Sequence, residues 1–166
     1  MTDWNIRLAR PEDAEHIPAI EAAAARLFAD IAGLKDMDPE DLCTVDQLTK
    51  FISKGHCLVA QIDDKVIGFL ASQPFSRELH IWEMDVAPEH QRQGIGAALI
   101  RACQIDARNS GFSALTLTTF RDVPWNAPFY SQLGFSEIAN IETYPRLEQV
   151  LTSEQESELP ADRRCA

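Results

Sequence analysis

The chain has only four cysteines, seven glycines and fifteen basic residues, the last set against twenty-six acidic ones. Cys43, Cys57, Cys103 and Cys165 are scattered without a C-x-x-C pair, which excludes a zinc-ribbon spacing and a dense disulfide frame. No run approaches the roughly 18 apolar residues that a membrane helix needs. The opening MTDWNIRLARPED is charged from Asp3 onward and lacks an apolar signal core. These absences predict a cytoplasmic protein with no membrane partner and no metal. The net charge of −11 and a pI near 4.7 exclude DNA, RNA or an anionic membrane as the main partner. No internal repeat, low-complexity tract or Gly/Ser-rich linker interrupts the chain.

What is present suits one folded domain spanning 1–166. At 166 residues, 45% apolar and 25% charged, the chain is long enough to bury a substantial core. Residues 6–9 read as a short strand, and Pro11-Glu12-Asp13 opens a helix whose Ile17, Ile20, Ala24, Leu27 and Phe28 fall at helical spacing. Pro18 kinks that helix or delays its start. The acidic run 36–46 reads as a loop leading into a short helix near Phe51. Residues 57–62 and 65–73 form a hairpin about Asp63-Asp64, and 78–86 is a further strand. From Gly94 to Asn109 the period becomes 3.6, with Ile95, Ala98, Leu99, Ala102 and Cys103 on one stripe and Gly111 placed to end the helix. A strand over 114–119, a short helix over 126–133, a strand beginning at 135–138, a helix over 146–157 and a last strand at 163–166 complete the order. Strands 78–86 and 114–119, joined by a long helix, are expected to be parallel. The fold class is therefore α+β, a mixed sheet with helices on both faces.

The segment Val86-Ala-Pro-Glu-His-Gln-Arg-Gln-Gly-Ile-Gly96 ends a strand, turns, and opens a helix on two glycines. The first N–H groups of a helix lack intrahelical partners, and the helix dipole adds positive potential there. Glycines at 94 and 96 let an anion approach the backbone, and Gln91, Arg92 and Gln93 add donors. The turn has the chemistry of a pyrophosphate cradle. A lone G-x-G also serves as a packing turn, and this one lacks the remaining marks of the dinucleotide fingerprint and of the P-loop.

A second segment is Trp125-Asn126-Ala-Pro-Phe-Tyr130-Ser-Gln-Leu-Gly-Phe135. Asn126 is suited to cap the helix. Phe129 and Leu133 are expected to pack inward, while Asn126 and Tyr130 share another stripe.

Together, Gln91-Arg92-Gln93-Gly94-Ile95-Gly96 and Asn126…Tyr130…Leu133-Gly134-Phe135 resemble the Q/R-x-x-G-x-G/A signature and the later conserved region of the GNAT acetyltransferases, strongly over residues 57–138. The resemblance implies the GNAT-type acyl-CoA N-acyltransferase fold, its mostly antiparallel sheet splayed between two parallel strands, and acetyl-CoA as cosubstrate. It implies that backbone groups of Met84, Asp85 and Val86 pair with the pantetheine arm. Backbone N–H groups of Arg92, Gln93, Gly94, Ile95, Gly96 and Ala97 would hold the pyrophosphate. Asn126 would bind the cofactor arm, and Tyr130 would sit beside the sulfur. Many relatives associate, so a homodimer is an expectation of the same origin.

Transfer of an acetyl group to an amine requires a neutral nitrogen, a donor for the oxyanion, here a backbone N–H, and a proton for the departing thiolate. A phenol, ordinarily titrating near 10, is protonated at neutrality, so Tyr130 is the candidate acid. For the base, alternation along 78–86 places His80, Trp82 and Met84 on one face and Ile81, Glu83 and Asp85 on the other. Glu83 is a carboxylate in an expected central strand, costly without a partner or a task. His80 matches, by resemblance, a position near the acceptor, and a water chain to bulk is a third route. Cys103 lies in an apolar stripe, so direct transfer without an acetyl-enzyme is expected. The acceptor reads as a primary amine of a small molecule. Acetylation of a protein N-terminus or lysine, a non-catalytic acyl-CoA-binding module, and a nucleotide-binding turn are the alternatives. Arg121, Asp122, Trp125 and the acidic stretch 36–46 are candidate borders of the acceptor mouth.

Overall fold

A computed structural model of the chain describes residues 3–34, 42–157 and 159–166. Residues 36–41 of the acidic stretch lie outside that set. The chain forms two compact units, Met1–Leu115 and Thr116–Ala166. No helix among the described residues is long and apolar enough to cross a membrane.

The first unit is built on a five-stranded sheet in the order β1 (Asn5–Leu8), β2 (Leu58–Ile62), β3 (Lys65–Phe75), β4 (Glu78–Val86) and β5 (Ala114–Leu117), the last beginning at the unit boundary. The first three pairings are antiparallel, and the sheet holds one parallel pair. Local chemistry fixes the turns. Asp63 and Asp64 adopt φ of 45° and 67°, the doubly left-handed pair that lets a two-residue turn match strand twist, and Ile62 pairs with Lys65 across it. Ser76 at φ 54° helps make the second tight turn, with Phe75 opposite Glu78.

Helix α1 (Ile17–Ala25) follows a 3-10 turn over Pro11–Glu15, so the first helix starts late, and Pro18 falls in its first turn, where a missing N–H costs nothing. Helix α2 (Val45–Ile52) is capped by Thr44, whose hydroxyl accepts from Gln47 N–H while the Gln47 amide oxygen accepts from Thr44 N–H. Ile17 and Ile20 of α1 and Leu48 and Ile52 of α2 form one core with Cys57, Val59, Phe69 and Ala71. Leu58, Ala60 and Leu70 alternate with these strand residues and are equally buried, which assigns them to the opposite face, where α3 (Ile95–Asn109) packs on β2, β3 and β4. Helix α3 ends as its sequence indicates. Gly111, at φ 81°, lets Phe112 N–H reach back to Ala107 O at 3.0 Å.

The second unit departs from expectation in two places. The stretch 114–119 is not one strand. It breaks at Thr118, and β6 (Thr119–Phe120) pairs antiparallel with β7 (Arg164–Cys165) as a separate ladder. The break has a chemical cause. The Thr118 hydroxyl donates to Glu154 of α5 (Pro145–Glu156) and accepts from Arg164, whose guanidinium also grips Glu154 through two bonds of 2.9 Å. Residues 135–138 form no strand either. Ile138 N–H bonds Ala166 O at 2.9 Å, but no ladder develops around it. Because Glu154 satisfies a largely buried Arg164, Glu154→Ala should destabilise the chain by about 2 kcal/mol, read as a lower midpoint in urea denaturation.

Candidate active site

Strand β4 leads directly into the glycine turn. Ala87 N–H closes the ladder on Ile67 O at 2.8 Å, a 3-10 turn over Pro88–His90 follows, and the chain re-enters a helix at Ile95. Gln91 ties the turn back to the strand, its side-chain amide donating to Val86 O at 2.8 Å. Arg92 at φ 60° and Gly94 at φ 84° are both left-handed. The first intrahelical bond runs from Ala98 N–H to Gly94 O, so the N–H groups of Ile95, Gly96 and Ala97 precede it and face outward from the helix end. Arg92 and Gln93 are exposed beside them.

The structure adds a demand on Gly94 beside the close anion approach expected from sequence. A Cβ there would meet nothing within 4 Å, so glycine is required by its φ and not by crowding. Gly94→Ala should therefore cost about 1 kcal/mol in strain. The rearranged turn should also weaken coenzyme A binding several-fold, measurable as a smaller ligand-induced rise in Tm.

Upstream, β4 carries the titratable groups. Its pairing with β3 is interrupted by a bulge: Ala71 faces Glu83 and Ser72 faces Ile81, leaving Trp82 as the extra residue. The bulge overturns the simple alternation read from sequence. Glu83 and Asp85 lie opposite Ala71 and Phe69 and so share the face that α1 covers. Trp82 stacks on Phe51 of α2 at 6.3 Å, and its ring edge meets His80 at 4.5 Å, so both turn to that same face. Strain or irregularity of this kind is not legible in a period-two pattern.

His80 is fully buried, with Phe75 and Trp82 edge-on to its ring, and the Trp82 indole N–H donates to Gln73 at 3.0 Å. Glu83 is half-buried, and its carboxylate makes a long 3.4 Å contact with Met84 N–H. Burial, then Glu83, then Glu21 hold the Asp85 carboxyl well above the usual carboxylate range. Glu21 itself, on α1 and 5% exposed, is pushed up to about 7 by burial and by Glu83, against one stabilising N–H from Cys43. Sequence reading missed Glu21. Glu21 falls four residues after Ile17, but only the packing of α1 over β4 gives that placement its chemical meaning.

In the second unit, helix α4 (Ala127–Gln132) carries the other two expected residues. Asn126 opens the helix through its main chain, accepting Tyr130 N–H at 3.0 Å, but its side chain does not cap. The Asn126 Oδ1 is instead buried without a hydrogen-bond partner among the described residues. Such an acceptor is costly unless a ligand N–H completes it. Tyr130, not Phe129 or Leu133, is the buried residue of α4. Gly134 at φ 94° closes the helix so that Phe135 N–H returns to Tyr130 O, and Phe135 packs on the Tyr130 ring at 5.7 Å, with Phe129 at 5.3 Å. The remaining candidates of this segment pair locally: Arg121 with Glu137, and Asp122 with Arg163. Trp125 is 43% exposed and is not a core aromatic.

Cys103 is wholly buried, and burial pushes its thiol up to about 12, which leaves it inert as a nucleophile. No group of three or more His, Cys, Asp or Glu among the described residues is arranged to hold a metal ion.

The family model described as the acetyltransferase (GNAT) family matches residues 22–135. N-acetyltransferase 8 of Homo sapiens is 32% identical over 106 residues, which cover 58% of this chain and 47% of that protein. N-acetyltransferase 8B of Homo sapiens is 30% identical over 118 residues, covering 66% and 49%. The chain thus spans about half the length of the curated relatives it matches. Among solved structures, the PaiA N-acetyltransferase of Thermoplasma acidophilum in complex with coenzyme A superposes with a TM-score of 0.70 at 19% identity, covering 82% of this chain and 91% of that one. The ribosomal-protein-S18-alanine N-acetyltransferase of Escherichia coli gives 0.64 at 20% identity, covering 82% and 80%. At such identities these structures establish the shared fold.

Proposed function

Since this chain belongs to the GNAT acetyltransferase family, we propose that it is an N-acetyltransferase moving the acetyl group of acetyl-CoA directly to a primary amine of a small-molecule acceptor. The observation that carries this reading is the continuity of β4. One strand bears Glu83 and Asp85 on the α1 face and then runs into the amide-lined turn at Gly94.

The residues present suit the cosubstrate. The N–H groups of Ile95, Gly96 and Ala97, with the Arg92 guanidinium, would hold the pyrophosphate. The main chain of Met84–Val86 would pair with the pantetheine arm; Asn126, in the second unit, is assigned to the cofactor by the family resemblance, its Oδ1 having no hydrogen-bond partner among the described residues. When bound, acetyl-CoA supplies a thioester, an acyl group ready for transfer to a neutral amine.

The chain's own groups then manage protons. An amine in water is mostly protonated, and Glu83 accepts that proton as the acceptor settles against β4. The carboxyls crowded on the same face, Glu21 and Asp85, are both held above the usual carboxylate range by burial and by Glu83. His80, sealed between Phe75 and Trp82, serves better as a wall of the acceptor side than as a base. Tyr130 donates its phenolic proton to the departing thiolate. The aromatic surfaces of Phe51 and Trp82 beside the carboxylates suit a compact cationic amine.

An acetyl-CoA turnover screen across small amines, amino acids, aminoglycosides and peptides, read by thiol release, tests the proposal. Turnover with one small-amine class supports it. Turnover confined to peptides transfers the acceptor to proteins, and hydrolysis or turnover with none refutes the enzymatic reading.

A further inference from the structure

Nearly every buried carboxylate in a folded protein is matched by a cation, and Asp13 of this chain follows that rule. It is buried, forked by Arg7 at 2.7 and 2.9 Å, and accepts the Arg10 N–H besides. Glu21 does not follow it. Its two oxygens share a single donor, the Cys43 N–H, at 3.1 Å each, and no described basic side chain is paired with it.

Its neighbours are other carboxylates. Ile17 and Ile20 anchor α1 in the core beside Phe69 and Ala71, and those two residues sit opposite Asp85 and Glu83 in the sheet. Glu21, on the same stripe as Ile17, is therefore brought over β4 on the side where Glu83 and Asp85 project. Folding alone does not call for a carboxylate at this place. A glutamine would accept the same Cys43 N–H with no charge to bury.

We propose that Glu21 is a positioning residue for the base: held on α1 against Glu83 and Asp85, its carboxylate keeps theirs able to take a proton from the acceptor amine. The inference rests on the reading of Glu83 as the proton acceptor. The physical mechanism is like-charge crowding. Three carboxylates in one half-buried place cannot all ionise cheaply, so the group retains a proton above the ordinary carboxylate range. The directions found for Glu21 and Asp85 agree with it. Among the described residues, the titratable groups that face Glu21 are Glu83 and Asp85 from β4 and Cys43 ahead of α2. The Cys43 thiol, pushed up to about 12 by burial and by Glu21, stays neutral, as does Cys57 just ahead of β2, pushed up to about 11 by burial.

The test uses the full chain carrying Glu21→Gln and, separately, Glu21→Asp, each checked for folding by circular dichroism. Two readouts are taken: the acid limb of the kcat/KM–pH profile, and the pH titration of the Asp85 carboxyl carbon by NMR. Removing one charge from the group should move both down by about one pH unit in Glu21→Gln, whereas Glu21→Asp should stay near the wild-type profile. A purely structural Glu21 would alter Tm and leave both titrations where they were, and that result overturns the proposal. If the wild-type protein acetylates no amine, the enzymatic reading fails by itself. The Asp85 titration then still decides whether Glu21 controls the β4 carboxylates, and an unmoved Asp85 rejects it.

Discussion

Replacing Tyr130 by phenylalanine should lower kcat by about 10²-fold or more, the usual loss when a positioned general acid is removed. The same substitution should leave the Kd for acetyl-CoA within about twofold. The reasoning is local. Tyr130 is the buried residue of α4, and its ring is fixed by Phe129, by Phe135 and by the helix ending at Gly134. Phenylalanine keeps all of that packing and removes only the hydroxyl. A loss in kcat at unchanged affinity therefore reports on proton donation and not on the fold. Single-turnover thiol release, with binding measured separately, distinguishes the two. If Tyr130→Phe turns over at the wild-type rate, the phenol is not the acid. If neither form turns over while both bind coenzyme A, the protein is a binding module.

The second large effect is on stability. The Glu21 carboxyl has an ordinary value of 4.5 and is pushed up to about 7 in the folded chain, first by burial and then by Glu83. A raised carboxyl means that the folded state holds the proton more tightly than the unfolded one. Between about pH 4.5 and 7 the folded chain therefore binds more protons, and stability falls as pH rises through that window. Above it this group adds no further slope. At about 1.4 kcal/mol per unit, the loss from Glu21 is about 3 kcal/mol. Glu21→Gln cannot lose a proton, so its stability relative to wild type should rise by about 3 kcal/mol between pH 4 and pH 8. Exchanging a carboxylate for an amide as the acceptor of the Cys43 N–H adds a pH-independent term of about 1 kcal/mol, which shifts the whole difference and leaves this rise unchanged. Urea denaturation at the two pH values measures the difference. A constant difference across the range would show that Glu21 titrates in the folded chain as it does in the unfolded one, and would contradict the upward shift. A protein more stable without this carboxylate, yet less able to take up the acceptor's proton at neutrality, is the expected trade between function and stability.

The strand–turn–helix at Gly94 and the tyrosine helix are legible in the sequence because their chemistry is local. Left-handed residues, the Thr44 cap and helix-ending glycines act within a few positions of themselves. Three features are not legible, each because a distant partner decides it. The bulge at Trp82 is set by pairing with β3 and brings His80, Trp82, Glu83 and Asp85 to one face, where alternation would separate them. The break at Thr118 is made by Glu154 and Arg164, which stand 36 and 46 residues further along. Glu21 looks like one more surface acid until α1 is seen lying over β4. Asn126 is a fourth case with a different lesson. A residue type suited to capping leaves that task to its main chain, and its side-chain oxygen has no partner among the described residues.

Everything chemical follows from the amides at the start of α3 holding a coenzyme's phosphates. Isothermal titration of the chain with acetyl-CoA and with coenzyme A measures this directly. The expected result is saturable one-to-one binding of both, weakened in Gly94→Ala and unchanged in Tyr130→Phe. Absence of any binding by the folded wild-type chain would contradict it.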